Sequence, residues 1–154
     1  MDERKVVAQN RKARRDYEVV DTVEAGIVLL GPEVKSLREG RASIAEAYAL
    51  FRDGELFVKD MHVPEYRNIG YADHDPRRLR KLLLHRRELR KLESKVRERG
   101  LTLVPLQLYF RGGRAKVELA LARGRRRHDK RHVLRQEEAR RDIDRASRRS
   151  RKRR

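Results

Sequence analysis

The sequence predicts a mainly β fold: a small closed or partly closed antiparallel barrel with accessory helices and a basic C-terminal tail. Three observations lead there. Two hairpin signals sit inside β-rich segments, one long helical stripe lies between them, and positive charge is concentrated at one end. The 154 residues amount to one domain's worth of chain. With 43% charged and 38% hydrophobic residues, against about 25% charged in an ordinary globular domain, the chain can bury one modest core and not two.

The elements follow in order. Residues 17 to 23 and 26 to 30 are β-rich and separated by a short turn, in which Gly26 is free to take a positive φ. A short helix is expected from Glu33 to Glu39, stopped by Gly40. Residues 48 to 51 and 56 to 58 flank Asp53-Gly54, a strong local hairpin signal. Asp75-Pro76 reads as a helix start, with Asp as N-cap and Pro at the first helical position, and Gly100 supplies the stop. At 100° per residue Leu79, Leu82, Leu83, Leu89, Leu92 and Val96 share about half the circumference of that 76–99 helix, with Leu83 at the margin and Leu84 opposite. Residues 101 to 110 and 115 to 122 flank Gly112-Gly113. There Val117, Leu119 and Leu121 alternate with Lys116, Glu118 and Ala120, so one face turns inward and the other toward solvent or a ligand. Strands and flanking helices in this arrangement suit an OB-type barrel, which presents a face to extended or looped nucleic acid.

Residues 123 to 154 are a separate object. They hold 16 Lys or Arg against 5 Asp or Glu, a net of +11, which leaves +7 for residues 1 to 122, the barrel domain. The tail's sizeable apolar side chains are Val133, Leu134 and Ile143, too few to offset the entropy of ordering it around a core. The pairs Glu137–Arg141 and Asp144–Arg148 contribute about 0.2–0.5 kcal/mol each, which does not hold an isolated helix. The tail is therefore expected to be disordered in the free protein and helical on an RNA surface.

The whole chain carries +18, a self-repulsion that an anionic partner relieves, and nucleic acid is the commonest such partner. No apolar run approaches the roughly 20 residues of a membrane-spanning helix, and the opening Met-Asp-Glu-Arg-Lys is too charged for a secretory signal. A soluble cytoplasmic protein is expected. The absence of cysteine excludes disulfides, a thiolate zinc site and a cysteine nucleophile.

No phosphate-cradling glycine loop is present. His128 and His132 stand at i,i+4 with Asp129 between them, the spacing of a two-histidine zinc helix, but Arg125, Arg126, Arg127, Lys130 and Arg131 repel a cation and no catalytic Glu accompanies them. Asp73-His74-Asp75 offers a second carboxylate–histidine cluster for an RNA hydrolase, weakened because Asp75 is spent as a cap. No catalytic residue, metal, cofactor or small-molecule substrate is expected. What remains is a set of cations, Lys35, Arg38, Arg41, Arg80, Lys81, Arg111, Arg114 and Lys116, that together favour phosphate contact. Arg outnumbers Lys 32 to 10, which suits bidentate phosphate binding and stacking on bases.

Specific strings then narrow the reading. Asn10-Arg11-Lys12-Ala13, Glu24-Ala25-Gly26 and Gly31-Pro32-Glu33-Val34-Lys35-Ser36-Leu37-Arg38 are followed by Arg80-Lys81-Leu82-Leu83-Leu84, Pro105-Leu106-Gln107-Leu108-Tyr109-Phe110, Ala115-Lys116-Val117 and His128-Asp129-Lys130-Arg131. In this order they closely resemble the small protein B (SmpB) family, the SsrA (tmRNA)-binding proteins of bacterial trans-translation.

The resemblance implies an OB-type barrel that binds the tRNA-like domain of tmRNA and enters stalled ribosomes with it, the protein standing roughly where the anticodon arm is missing. It implies no catalytic activity: peptidyl transfer belongs to the ribosome, alanylation to alanyl-tRNA synthetase and delivery to elongation factor Tu. Its tmRNA-contacting positions fall on Asn10, Glu24 and Leu83, with Arg11, Lys12 and Gly26 in the same strings and Lys35, Lys81 and Lys116 as phosphate partners. Asn10 can donate and accept at a base edge, Glu24 can accept from a base amine or ribose hydroxyl, and Leu83 can pack on an unstacked base.

In the tail, His128, Asp129, Lys130, Arg131 and Arg135 are expected at 16S rRNA, in the decoding centre and empty mRNA channel. Ala139, Ala146 and Ser147 stand where some relatives carry bulky apolar residues, so the expectation rests on the arginines. One protein monomer per tmRNA is expected. The alternative is a general rRNA-binding or initiation-type OB-fold protein.

Overall fold

The computed structural model describes residues 3 to 65 and 75 to 124. Seven strands and three helices run in the order β1 (Arg4–Gln9), α1 (Ala13–Asp16), β2 (Tyr17–Ile27), α2 (Gly31–Arg38), β3 (Tyr48–Arg52), β4 (Glu55–Lys59), β5 (Arg80–Leu83), α3 (Arg86–Arg99), β6 (Thr102–Arg111) and β7 (Arg114–Gly124). The strand order is β1-β6-β3-β4-β5-β2-β7, and β6 also pairs with β7, so the pairings of the last six strands run in a closed circuit. The β3–β4, β4–β5, β2–β5, β3–β6, β6–β7 and β1–β6 pairs are antiparallel. The fold is mainly antiparallel β with a few helices, as the sequence predicts.

Both hairpins form where their turn residues stand. Asp53 and Gly54 have φ of 53° and 79°, and Gly112 and Gly113 have 59° and 77°. Paired positive φ values at the two central residues are the type I′ signature, whose twist matches that of the flanking strands. Closure is tight in each case, with Arg52 opposite Glu55 and Arg111 opposite Arg114.

Three expectations are corrected. The two early strands are one, β2, and Gly26 lies within it opposite Leu83 rather than in a turn. Its lack of a side chain leaves the surface beside Leu83 open: a Cβ at Gly26 would meet the Cβ of Leu83 at 3.4 Å, an ordinary contact. The 76–99 helix is instead a turn, a strand and a shorter helix. Asp75 closes a turn instead of capping a helix, its Oδ1 accepting from Arg77 N–H at 3.0 Å and its carbonyl from Arg78 N–H at 3.1 Å, and the segment beyond becomes β5, which pairs with β4 on one side and β2 on the other. Two neighbouring strands supply partners for the backbone and override the helical spacing of Leu79, Leu82 and Leu83. Only from Arg86 does the chain turn helical. The Glu88 carboxylate accepts from His85 N–H at 3.3 Å, and Gly100, at φ 66°, ends α3. Third, Ala120 is buried rather than outward-facing. The short helix expected at 33–39 is present as α2, entered two residues earlier with Pro32 in its first turn.

The core has two parts. The larger, with Leu37, Ile44, Leu56, Val58, Met61, Leu82, Leu103, Leu108, Leu119 and Leu121 at its centre, is covered by Leu89, Leu92 and Val96 of α3. The smaller gathers Ala13, Val104, Leu106, Ala120 and Ala122 against Tyr17 and Val19. Strands β6 and β7 feed both, because alternate residues of a strand face opposite sides; along β6 the alternation resets at a bulge between Pro105 and Gln107.

Arg80, expected among the phosphate-binding cations, is fully buried. The Glu33 carboxylate, equally buried, accepts from Leu30 N–H (2.8 Å), from Arg78 Nε and Nη2 (2.9 and 2.8 Å) and from Arg80 Nε (2.8 Å). Arg80 also donates to the carbonyls of Met61 (2.7 Å) and Pro76 (3.1 Å). This network ties the start of α2 to β5 and to the chain on either side of it. It leaves Arg80 no donor to spend on a ligand without breaking the fold. Among the described residues no helix is long and apolar enough to cross a membrane.

Candidate nucleic-acid interface

A cleft of about 780 Å³ opens where β2, the end of β5, the start of α3 and the β6–β7 hairpin meet. Its floor is apolar, from Ile27, Leu29, Val34 and Leu84, and its polar groups are Glu24, His85, Glu88, Arg114 and Lys116. Leu83 also lines it, at 50% exposure the most exposed large apolar side chain among the described residues. The pleat explains the position. Arg80 and Leu82 face in, so Lys81 and Leu83 face out. Gly26, directly opposite, keeps the floor beside Leu83 low.

Glu24 is held from one side. Its Oε2 accepts from the Tyr109 hydroxyl and forms an ion pair with Arg111 Nη1 at 3.1 Å. Burial first, and then the Glu24 carboxylate, push the Tyr109 phenol well above the ordinary range, so it stays protonated and donates. The Arg4 guanidinium lies 4.2 Å over the Tyr109 ring and Arg111 lies 5.8 Å away. Arg38 of α2 sits 4.6 Å over Phe110, which also lines the cleft.

Of the positions singled out from the sequence, Glu24, Gly26, Leu83 and Lys116 come together in this cleft. Lys81 lies outside it, half-exposed and paired with Glu55 at 3.0 Å, in a second groove that shares Leu83, Leu84 and His85 with the first. Lys35 is exposed on α2, while Arg11 and Lys12 are exposed between β1 and α1, Lys12 lying 3.5 Å from Glu46.

Asn10 departs from the base-edge rationale. It is buried, and its amide donates to the carbonyls of Ile44 (3.3 Å) and Pro105 (3.2 Å) while Oδ1 accepts from Ala13 N–H (3.1 Å). That amide shapes the turn presenting Arg11 and Lys12. His128, Asp129, Lys130, Arg131 and Arg135, with Asp73 and His74, lie outside the described residues.

Sequence reasoning missed Tyr109, Arg4 and the Arg38–Phe110 stack. Tyr109 and Arg4 meet through the β1–β6 pairing and Arg38 reaches Phe110 from a helix distant in sequence, although an aromatic next to an arginine at Phe110-Arg111 on a hairpin arm was a legible hint. An apolar floor with one solvent-facing leucine, an oriented carboxylate and cations on the hairpin can seat an unstacked nucleotide: base on the leucine, hydroxyl or amine to the carboxylate, phosphate to the cations.

Comparison with known proteins agrees. The family model described as SmpB protein matches residues 7–149. The chain is 59% identical over 143 residues to the SsrA-binding protein of Acidothermus cellulolyticus, covering 93% of this chain and 90% of that one. It is 58% identical over 147 residues to the SsrA-binding protein of Thermobifida fusca, covering 96% and 92%. A solved chain described as "tmRNA-SmpB: a journey to the center of the bacterial ribosome" superposes with a TM-score of 0.68 at 52% identity, over 82% of this chain and 93% of that one. A match over nearly the whole sequence, on a fold whose cleft gathers four of the residues singled out beforehand, settles the family: the chain belongs to the SmpB proteins.

Proposed function

We propose that the chain is a non-enzymatic, tmRNA (SsrA)-binding protein of trans-translation, which carries the tRNA-like domain of tmRNA into stalled ribosomes for rescue and tagging. The observation that carries this reading is the convergence of Glu24, Gly26, Leu83 and Lys116 in one cleft of a chain that belongs to the SmpB family. In this reading residues 1 to 122 grip the RNA, with Lys35, Lys81, Arg11 and Lys12 meeting phosphates around the cleft, and Asn10 holds the Arg11–Lys12 turn instead of touching a base. Residues 123 to 154, through His128, Asp129, Lys130, Arg131 and Arg135, meet 16S rRNA in the decoding centre and the empty mRNA channel. One monomer rides on each tmRNA in the cytoplasm, alongside alanyl-tRNA synthetase and elongation factor Tu, which act on the same RNA.

The test is capture of total cellular RNA by the purified protein, followed by sequencing. Selective recovery of tmRNA is expected; recovery of rRNA in equal measure would replace this reading with a general rRNA-binding one. A Glu24→Ala, Leu83→Ala double variant is expected to weaken binding to the tRNA-like domain by about 100-fold, since each substitution removes roughly 1–2 kcal/mol of contact. Binding isotherms on wild type and variant check it. Log affinity of the wild type is expected to fall linearly with log salt concentration, with a slope of several units set by the number of phosphates neutralised.

A further inference from the structure

We infer that Tyr109 is a positioning residue: its hydroxyl, with Arg111, fixes one oxygen of Glu24 so that the other stands ready to accept a hydrogen bond from a neutral donor on the RNA. The inference rests on the RNA-binding reading of the cleft. The Tyr109 hydroxyl and Arg111 Nη1 both engage Oε2, the first by a hydrogen bond and the second as an ion pair, and among the described residues Oε1 has no hydrogen-bond partner. The carboxylate lines the cleft while its anchor lies behind it, on β6, a strand separated from β2 by β7 in the pairing order.

Tyr109 is itself immobilised. It is fully buried, with Arg4 over its ring, and Arg4 is held by Gln107 Oε1 at 2.9 Å and Glu118 at 3.6 Å. A free carboxylate facing a polyanion costs affinity through repulsion. One with an oxygen neutralised by Arg111 and the other aimed outward becomes a selective acceptor instead. The shared chemistry it recognises is an uncharged donor, either a ribose 2′-hydroxyl or an exocyclic base amine.

The experiment compares affinity for the tRNA-like domain with affinity for random RNA of equal length, using the full chain. Tyr109→Phe is expected to lower the first about tenfold, the cost of one well-aimed hydrogen bond to a charged group, and to leave the second unchanged. In a Glu24→Ala background it is expected to cost nothing further. Random-RNA affinity and a thermal melt report whether each variant is folded.

Glu24→Gln gives an independent arm. The Tyr109 hydroxyl donates and the Arg111 guanidinium is positive, so together they draw the amide oxygen toward themselves and turn the NH2 toward the RNA donor. Selectivity is then lost as fully as in Glu24→Ala. RNA with 2′-deoxy substitutions and RNA with amine-free bases (inosine for guanosine, nebularine for adenosine, zebularine for cytidine) identify the donor: the one that abolishes the difference between wild type and Tyr109→Phe lacks it. A difference that survives in both overturns the acceptor role. If Glu24→Ala weakens selective binding while Tyr109→Phe and Glu24→Gln do not, the positioning role is wrong and the cleft stands. If Glu24→Ala itself leaves selectivity intact, the cleft reading falls first.

Discussion

Replacing Glu33 by Gln is expected to destabilise the protein by about 3–5 kcal/mol, because it leaves the fully buried Arg80 guanidinium without its counter-charge. For a chain of this size that corresponds to a fall in Tm on the order of 10–20 °C. Arg78 is partly exposed and can turn to water, but Arg80 cannot. The pH dependence carries a definite sign. Burial alone would raise the Glu33 carboxyl, but hydrogen bonds from Arg78, the Leu30 N–H and Arg80 outweigh it and hold the group below its ordinary value of 4.5. A carboxyl depressed in the folded state contributes stability that is fully present above its unfolded value and is lost as pH falls through the folded one. Urea titrations at a series of pH values are therefore expected to show wild-type stability declining below about pH 4.5, with the decline shallower in Glu33→Gln. Adding Arg80→Met to Glu33→Gln is expected to cost less than the two single changes together, since the orphaned charge goes with its partner. A strictly additive double variant would mean that the ion pair is not one unit.

Truncation after residue 128 is expected to separate the two halves of the proposed function. Affinity for the tRNA-like domain stays within a few-fold of the full chain, while tagging on stalled ribosomes is abolished. The division follows from charge and apolar content: residues 123 to 154 hold a net +11 with three sizeable apolar side chains, and the cleft is built entirely from residues 24 to 116. Filter binding and a reconstituted tagging reaction check the two arms. Equal loss in both would overturn the division.

Features fixed by adjacent residues were legible in the sequence. Asp53-Gly54 and Gly112-Gly113 specify type I′ turns by themselves, and Gly100 stops α3 because its left-handed φ comes cheaply only to glycine. Leu79, Leu82 and Leu83 misled because four residues of β-strand read as helix when their strand partners are unseen, and those partners, Leu56–Val58 on one side and Gly26–Ile27 on the other, are tens of residues away. Gly26 was singled out for the right position and the wrong reason. Arg80 was counted as a surface cation because a lone arginine does not announce a buried glutamate 47 positions earlier. Glu24, Leu83 and Lys116 were legible as family positions, whereas their convergence needed the β2–β5 and β6–β7 registers, and Tyr109 needed a third strand.

The bulge at Pro105 and Gln107 sets the parity of β6. Leu103 faces the main core, and plain alternation from there would carry every odd-numbered residue inward, turning Leu108 and Phe110 out and Tyr109 in. One extra residue resets the count, so the even-numbered leucine and phenylalanine stay in the main core and the phenol turns to the opposite side, buried beside Glu24. Substitutions that iron out this irregularity are therefore expected to unseat the phenol without altering a single atom of its side chain.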